Sequence, residues 1–197
     1  MSKKEDIMQA AAMLFSNKGF RETSIAEISR MTGAAEGTIF YHFKNKEELF
    51  LCILEDVKNG IIKKFETYTQ EREFETGLDM MESIINFYLY LAGAMEDWFL
   101  LLHRHYLYEL ARVNPICRSH LEAIYNCLVD IFERAVTAGQ NDGSIRDMPA
   151  RKAALIIFSM IDGAVRLNTY NLYDAGSLHS MVIESCHRML ENHNIRS

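Results

Sequence analysis

Residues 23–49 read TSIAEISRMTGAAEGTIFYHFKNKEEL, and the order of polar, apolar and glycine positions here decides how the chain begins to fold. Ser24 precedes Glu27 by three residues and stands ahead of Ile28. That is a capping box, in which the serine oxygen takes the amide of Glu27 and the glutamate returns to the serine amide. A short helix is therefore expected to start at Ile25, and Gly33 closes it after about two turns. A further short helix is predicted over 36–42, because Asn45 with Glu48 marks the start of another. Two short helices about a glycine turn make a helix-turn-helix. Upstream, Ile7, Ala10, Ala11, Leu14 and Phe15 follow the spacing of an amphipathic helix, which Gly19 ends and on which Phe20 folds back. Ile25, Ile28, Ile39 and Phe43 are expected in the core, holding the two helices at their crossing angle.

The run from Thr23 to Ser29, and from Thr32 through Tyr41-His42-Phe43-Lys44-Asn45-Lys46 to Leu49, closely resembles the DNA-binding domain of the tetracycline-repressor family. The resemblance implies a role for each matched residue. Ser24 gives its hydroxyl to a phosphate at a helix N-terminus. Gly37 lets the backbone approach DNA, while Thr38 and Tyr41 project toward base edges, thymine methyls or phosphates. Phe40, where many members carry tyrosine, packs on sugar or a methyl. His42 and Lys46 grip phosphates, the lysine aided by the N-terminus of the fourth helix. Ala34 and Ala35 depart from the pattern of a valine followed by a capping hydroxyl, so the reading helix starts less firmly, by roughly 1 kcal/mol. Glu36, beside Ala35 at the DNA-facing start of that helix, either repels phosphate or accepts from a cytosine amino group.

The composition agrees with a helical globular protein. Of 197 residues, 49% are hydrophobic and 24% charged, and only Pro115 and Pro149 interrupt a chain rich in helix formers. The fold class expected is all-α, without a sheet. Net charge is −6, yet residues 1–50 carry seven basic and seven acidic side chains, so the acidity lies beyond them. Neutrality is weak support for DNA, and the motif carries that reading. Cys52, Cys117, Cys127 and Cys186 are scattered without a CxxC pair and no signal peptide is read, which fits a reducing cytoplasm. No apolar run reaches the ~20 residues of a membrane span.

After Asn45 the pattern predicts helices over about 46–68, 75–92, 96–112, 117–139, 149–171 and 177–193, broken near Gly77, Gly93, Asn114-Pro115, the 139–143 turn and Asp174-Ala175-Gly176. The domains expected are 1–47, a helix-turn-helix domain with its motif at about 24–43, and 48–197, a helical effector-binding and dimerisation domain. Pro149 belongs in the first turn of one helix, and Ser177 caps the last. The resemblance implies dimerisation through the last two helices, with Ala154, Phe158, Ile161 and Val165 facing Met181, Val182 and Met189; the alternative is that these complete a monomer core. Tyr88, Trp98, Phe99, Leu102, His103, Tyr106 and Tyr125 make the middle helices aromatic enough to line an effector pocket or simply to fill a core. Asp162 lies in an apolar run and needs a partner: Arg166 at i+4, or a cationic effector, or a group across the dimer. His103 and His105 do not share a helix face, Cys117 and His120 do, and neither pair has the company of a metal site; no cofactor is called for. The function expected is a one-component transcription repressor that binds palindromic operator DNA as a homodimer and is released by a small apolar or amphipathic effector. The alternatives are an interaction adaptor with a vestigial motif, or a helical enzyme using His103, His105 or a cysteine, which no catalytic signature supports.

Overall fold

Serine caps open the first two helices, and the one at Ser24 is the cap the spacing predicts. In the computed structural model, which describes residues 2–173 and 175–192, Ser2 and Glu5 form a capping box that opens α1 (Lys3–Asn17). A second box, Ser24 with Glu27, opens α2 (Ile25–Thr32). Gly33 ends α2 at φ +64°, a left-handed conformation natural to glycine, and α3 (Glu36–His42) follows. Asn45 accepts the Glu48 amide at 2.8 Å to start α4 (Lys46–Gln70). The remaining helices are α5 (Gly77–Ala94), α6 (Glu96–Leu102), α7 (His105–Ala111), α8 (Pro115–Asp142), α9 (Ala150–Thr169) and α10 (His179–Leu190), with a 3-10 turn at Ala175–Leu178. No strand forms among the described residues; one isolated bridge joins Ile145 and Glu191. None of the described helices is long and apolar enough to cross a membrane.

Four expectations need correction. The segment expected as one helix over 96–112 is two, because Arg104 turns extended at φ −70°, ψ 134°. Its guanidinium donates to the carbonyls of Ser16 and Asn17, oxygens left open at the end of α1. Pro149 stands just before α9 as its cap position, not inside the first turn. Ser177 lies within the 3-10 turn, and Leu178 occupies the cap position of α10. Gly93 and Gly139 lie inside α5 and α8, and the turn after α8 falls at Gly143, φ +84°. The expected break at Asp174 and the predicted helix end at 193 lie outside the described residues.

By packing, the chain divides into two compact units. One comprises residues up to Lys63 together with Met95–Ile124; the other comprises Lys64–Ala94 and the chain from Tyr125 onward. In the first, α1 packs on α2 and α6. Ile7, Ala11, Phe15, Ile28, Ile39, Phe43, Leu49 and Leu54 are buried in its core, whereas Ile25, expected there, is only half-buried. A ring cluster caps this core: Tyr106 stacks on Phe20 at 4.0 Å, and Phe50 meets both edge-on. In the second unit, Tyr88, Phe132, Ile157 and Ile161 are buried. Here Gly77 lies so close to α8 that a Cβ would overlap the backbone N and Cα of Gly139 and sit 2.7 Å from the Ala135 carbonyl oxygen.

Candidate nucleic-acid interface

The turn of the helix-turn-helix is fixed by hydroxyls. Ser29 donates to the Ala34 carbonyl at 2.7 Å, and Thr32 accepts the Ala34 amide at 3.3 Å while donating to Ile28 at 2.8 Å. These bonds hold α3 although Ala35 gives it no side-chain cap. Ile39 and Phe43 anchor its inner face, with at most 2% exposed. The opposite face is presented to water: Ala35, Glu36 and Gly37 are exposed, Thr38 is half-buried, and Phe40 and Tyr41 are 50% and 85% exposed. A Cβ on Gly37 would meet nothing within 4 Å. The Tyr41 ring stands edge-on to that of half-buried His42, centroids 5.2 Å apart.

Ser24 is exposed, and its oxygen accepts the Glu27 amide at 3.2 Å. Lys18 and the Ser24 amide hold the Glu27 carboxyl down from the usual 4.5 to about 2. Lys46 has a different place from the one expected. Its ammonium donates to the carbonyls of Phe20 at 2.7 Å and Thr23 at 2.8 Å and lies 4.4 Å above the Phe20 ring. Burial among these groups lowers its pKa. Two of its three protons thus tie down the loop before α2, and the neighbouring exposed lysine is Lys44. Three residues that organise this head escaped the sequence reading. Thr23 is buried and bonds the Gly19 carbonyl at 2.8 Å. Arg104 and Asp97, distant in sequence, meet the end of α1, where Asp97 accepts from Ser16 at 2.9 Å. The threonine beside a cap is a local signal; the other two have none.

The residues read as effector contacts divide between the units. In the second, the Tyr88 hydroxyl donates to Asp162 at 2.6 Å, so one partner of this acid is a tyrosine on α5. Tyr125 and Tyr88 both meet the Phe158 ring edge-on, at 5.7 and 5.9 Å. In the first, Phe99, Leu102 and His103 are buried, Trp98 is half-buried with its ring against Gly60, and Tyr106 has a face covered by Phe20. Cys117, Cys127 and Cys186 carry thiols pushed by burial to about 11, which keeps them protonated at neutral pH. Among the described residues no group of His, Cys, Asp and Glu is placed to hold a metal ion.

Residues 7–53, which contain this head, match the family model described as bacterial regulatory proteins, tetR family. That segment is a tetR-family domain. This regulator is 24% identical over 181 residues, 90% of each chain, to the fatty acid metabolism regulator protein of Bacillus subtilis. Its fold is that of the transcriptional regulator FadR from B. subtilis solved in complex with stearoyl-CoA, with a TM-score of 0.74 and 23% identity over 94% of this chain and 98% of that one. It is also that of a putative transcriptional regulator from Saccharomonospora viridis in complex with choline, with a TM-score of 0.83 and 18% identity over 96% and 97% of the two chains. These relatives are transcription regulators, and the enzyme reading is set aside.

On α9 the residues expected at a dimer face are turned inward. Ala154, Phe158, Ile161 and Val165 are buried in the unit's own core. The apolar side chains that α9 leaves in water are Leu155 and Ile156, the latter 58% exposed. The reason is register: four inward residues satisfy the second unit first, and the remaining apolar positions fall on the other face of the helix. On α10, Met181 is 55% exposed, and Val182 and Met189 are half-buried.

Proposed function

We propose that this regulator is a repressor that binds an inverted-repeat operator as a homodimer and leaves it when a small apolar or amphipathic effector binds. In this reading residues 1–47 read DNA in the cytoplasm, and 48–197 hold the effector and pair the two copies. The observation that carries it is the outer face of α3. Two large rings, Phe40 and Tyr41, stand in water beside a glycine that its own fold leaves open, and a partner surface accounts for all three. Thr38 and Tyr41 read base edges, Phe40 packs on sugar or methyl, and Ser24, His42 and Lys44 take phosphates. Lys46 acts by holding the loop that positions Ser24.

Two reading heads need a dimer, and exposed Leu155, Ile156 and Met181 supply the apolar surface for one. For the effector, the hydrogen-bonded Tyr88–Asp162 pair beside Tyr125 and Phe158 combines an aromatic wall with an orienting polar group. The B. subtilis regulator solved with stearoyl-CoA supports an amphipathic effector of acyl-thioester type. Linkage then requires operator DNA to weaken effector binding by the same factor as the effector weakens operator binding.

The test is selection of bound duplexes from a random DNA pool at stated, near-physiological salt. Recovery of an inverted repeat with half-sites about one helical turn apart, or a little more, is expected. A folded protein that enriches no sequence would overturn the proposal.

A further inference from the structure

One flank of the first unit holds a groove that the outer face of α3 does not touch. It lies between α1, the end of α2, α4 and α6 and has a volume of about 950 Å3. That is at the upper end of the roughly 300–1,000 Å3 usual for small-molecule sites. Its floor is apolar: Ala10, Ile53 and Val57 are buried there. Its walls include Met8, Met13, Met31 and Trp98. Methionine is polarizable and adapts to the shape of what it covers, and the indole face is the strongest aromatic partner for a cation. Met13 and Met31 are exposed although apolar, so the chain itself leaves this wall uncovered.

The rim has one sign of charge. Glu5, Asp6, Asp56 and Asp97 line the groove, and no lysine, arginine or histidine is among the described residues lining it. Two of these acids serve the fold. Glu5 accepts the Ser2 amide at 2.8 Å, and Asp97 accepts from Ser16 at 2.9 Å and Asn17 at 3.2 Å. Lys3 donates to the Thr32 carbonyl at one end. Asp6 and Asp56 are the carboxylates outside these bonds. An acyl anion entering this trough meets repulsion, and a neutral apolar ligand leaves the acids unmatched. A cation with an apolar body answers both walls and rim.

We infer that this groove is a second ligand site, built from residues other than the Tyr88–Asp162 cluster, and that it takes a lipophilic organic cation. The charge sits between Asp6 and Asp56, and the apolar body lies on Trp98 and the three methionines.

Trp98 is the only tryptophan in the chain, so its emission reports on the groove directly. The probes are tetraphenylphosphonium and tetraphenylborate, ions of one shape and opposite charge, titrated without DNA so that the outcome is independent of the operator reading. A saturable change in Trp98 emission is expected with the phosphonium, at least about tenfold tighter than with the borate. Asp6→Asn with Asp56→Asn, the first half-buried and the second exposed, weakens the phosphonium by about tenfold, the sum of two solvent-screened charge contacts. Met31→Lys, also exposed, weakens it as much, while Asp162→Asn leaves it unchanged. Equal binding of the two ions, unaltered affinity in the double variant, or loss of binding in Asp162→Asn would each overturn the site.

Discussion

Gly37 is the residue whose presence the fold does not explain. It lies within α3, where glycine costs about 1 kcal/mol relative to alanine, and a Cβ there meets nothing of the chain. Gly37→Ala is therefore expected to raise unfolding stability by about 0.5–1 kcal/mol while weakening operator binding several-fold. Denaturant unfolding beside a DNA titration reads both, and a variant that binds DNA normally would remove the close-approach role. Glu27 gives a second residue-scale prediction. Its pKa is depressed in the folded chain, so its contribution to stability is present above the usual 4.5 and is lost as pH falls toward about 2. Unfolding measured across that window should lose part of its pH dependence in Glu27→Gln; curves of unchanged slope would rule out the cap as its source. At this scale the sequence was legible where one short segment contains the whole interaction. Ser24 with Glu27 could be read from three-residue spacing, and so could the missing cap at Ala35. Lys46 could not, because a lysine's long side chain reaches whichever oxygens are open, and those at Phe20 and Thr23 lie more than twenty positions upstream.

Periodicity located the helices well and their interruptions less well. Glycines at 93 and 139 read as breaks but sit inside helices, because a helix tolerates an isolated glycine at a cost of about 1 kcal/mol; a Cβ at Gly139 would collide with Ile145, whereas one at Gly93 would meet nothing within 4 Å. Gly139 lies against Gly77 at the start of α5, and both positions are backbone-close. Gly77→Ala should consequently destabilise the protein by about 1–3 kcal/mol, since the obstructing atoms are main chain and cannot swing away. A shift of that size in the urea midpoint is the check; no shift would mean that α5 and α8 separate at little cost. The break at Arg104 was invisible for the opposite reason: nothing in the run from Glu96 to Arg112 interrupts the helical pattern. A distant helix end, with carbonyls lacking donors, draws the guanidinium and bends the chain between α6 and α7.

For the whole molecule, a stripe of apolar residues says that a face is buried but not what buries it. Ala154, Phe158, Ile161 and Val165 follow a helical stripe that serves the unit's own core, and the sequence pattern is the same for a core and for an interface. The burial pattern redirects the dimer test to the outer face of α9. Ile156→Glu should convert the dimer to monomer at micromolar concentration in sedimentation experiments, with helix content unchanged, because an unpaired carboxylate in an apolar interface costs several kcal/mol. A dimer that survives the change would exclude this face. The fate of Lys46 has a consequence for how the assembled regulator responds to its ionic surroundings. A cation held by backbone carbonyls displaces no counterion from DNA. In the proposed reading Lys44 and not Lys46 supplies the lysine contact to phosphate, and a head that used both would have a slope of log affinity against log salt steeper by about 0.9, or nearly 2 for a dimer. Binding that leans less on the phosphate backbone leans more on the bases, so the preference for operator over bulk DNA persists as ionic strength rises.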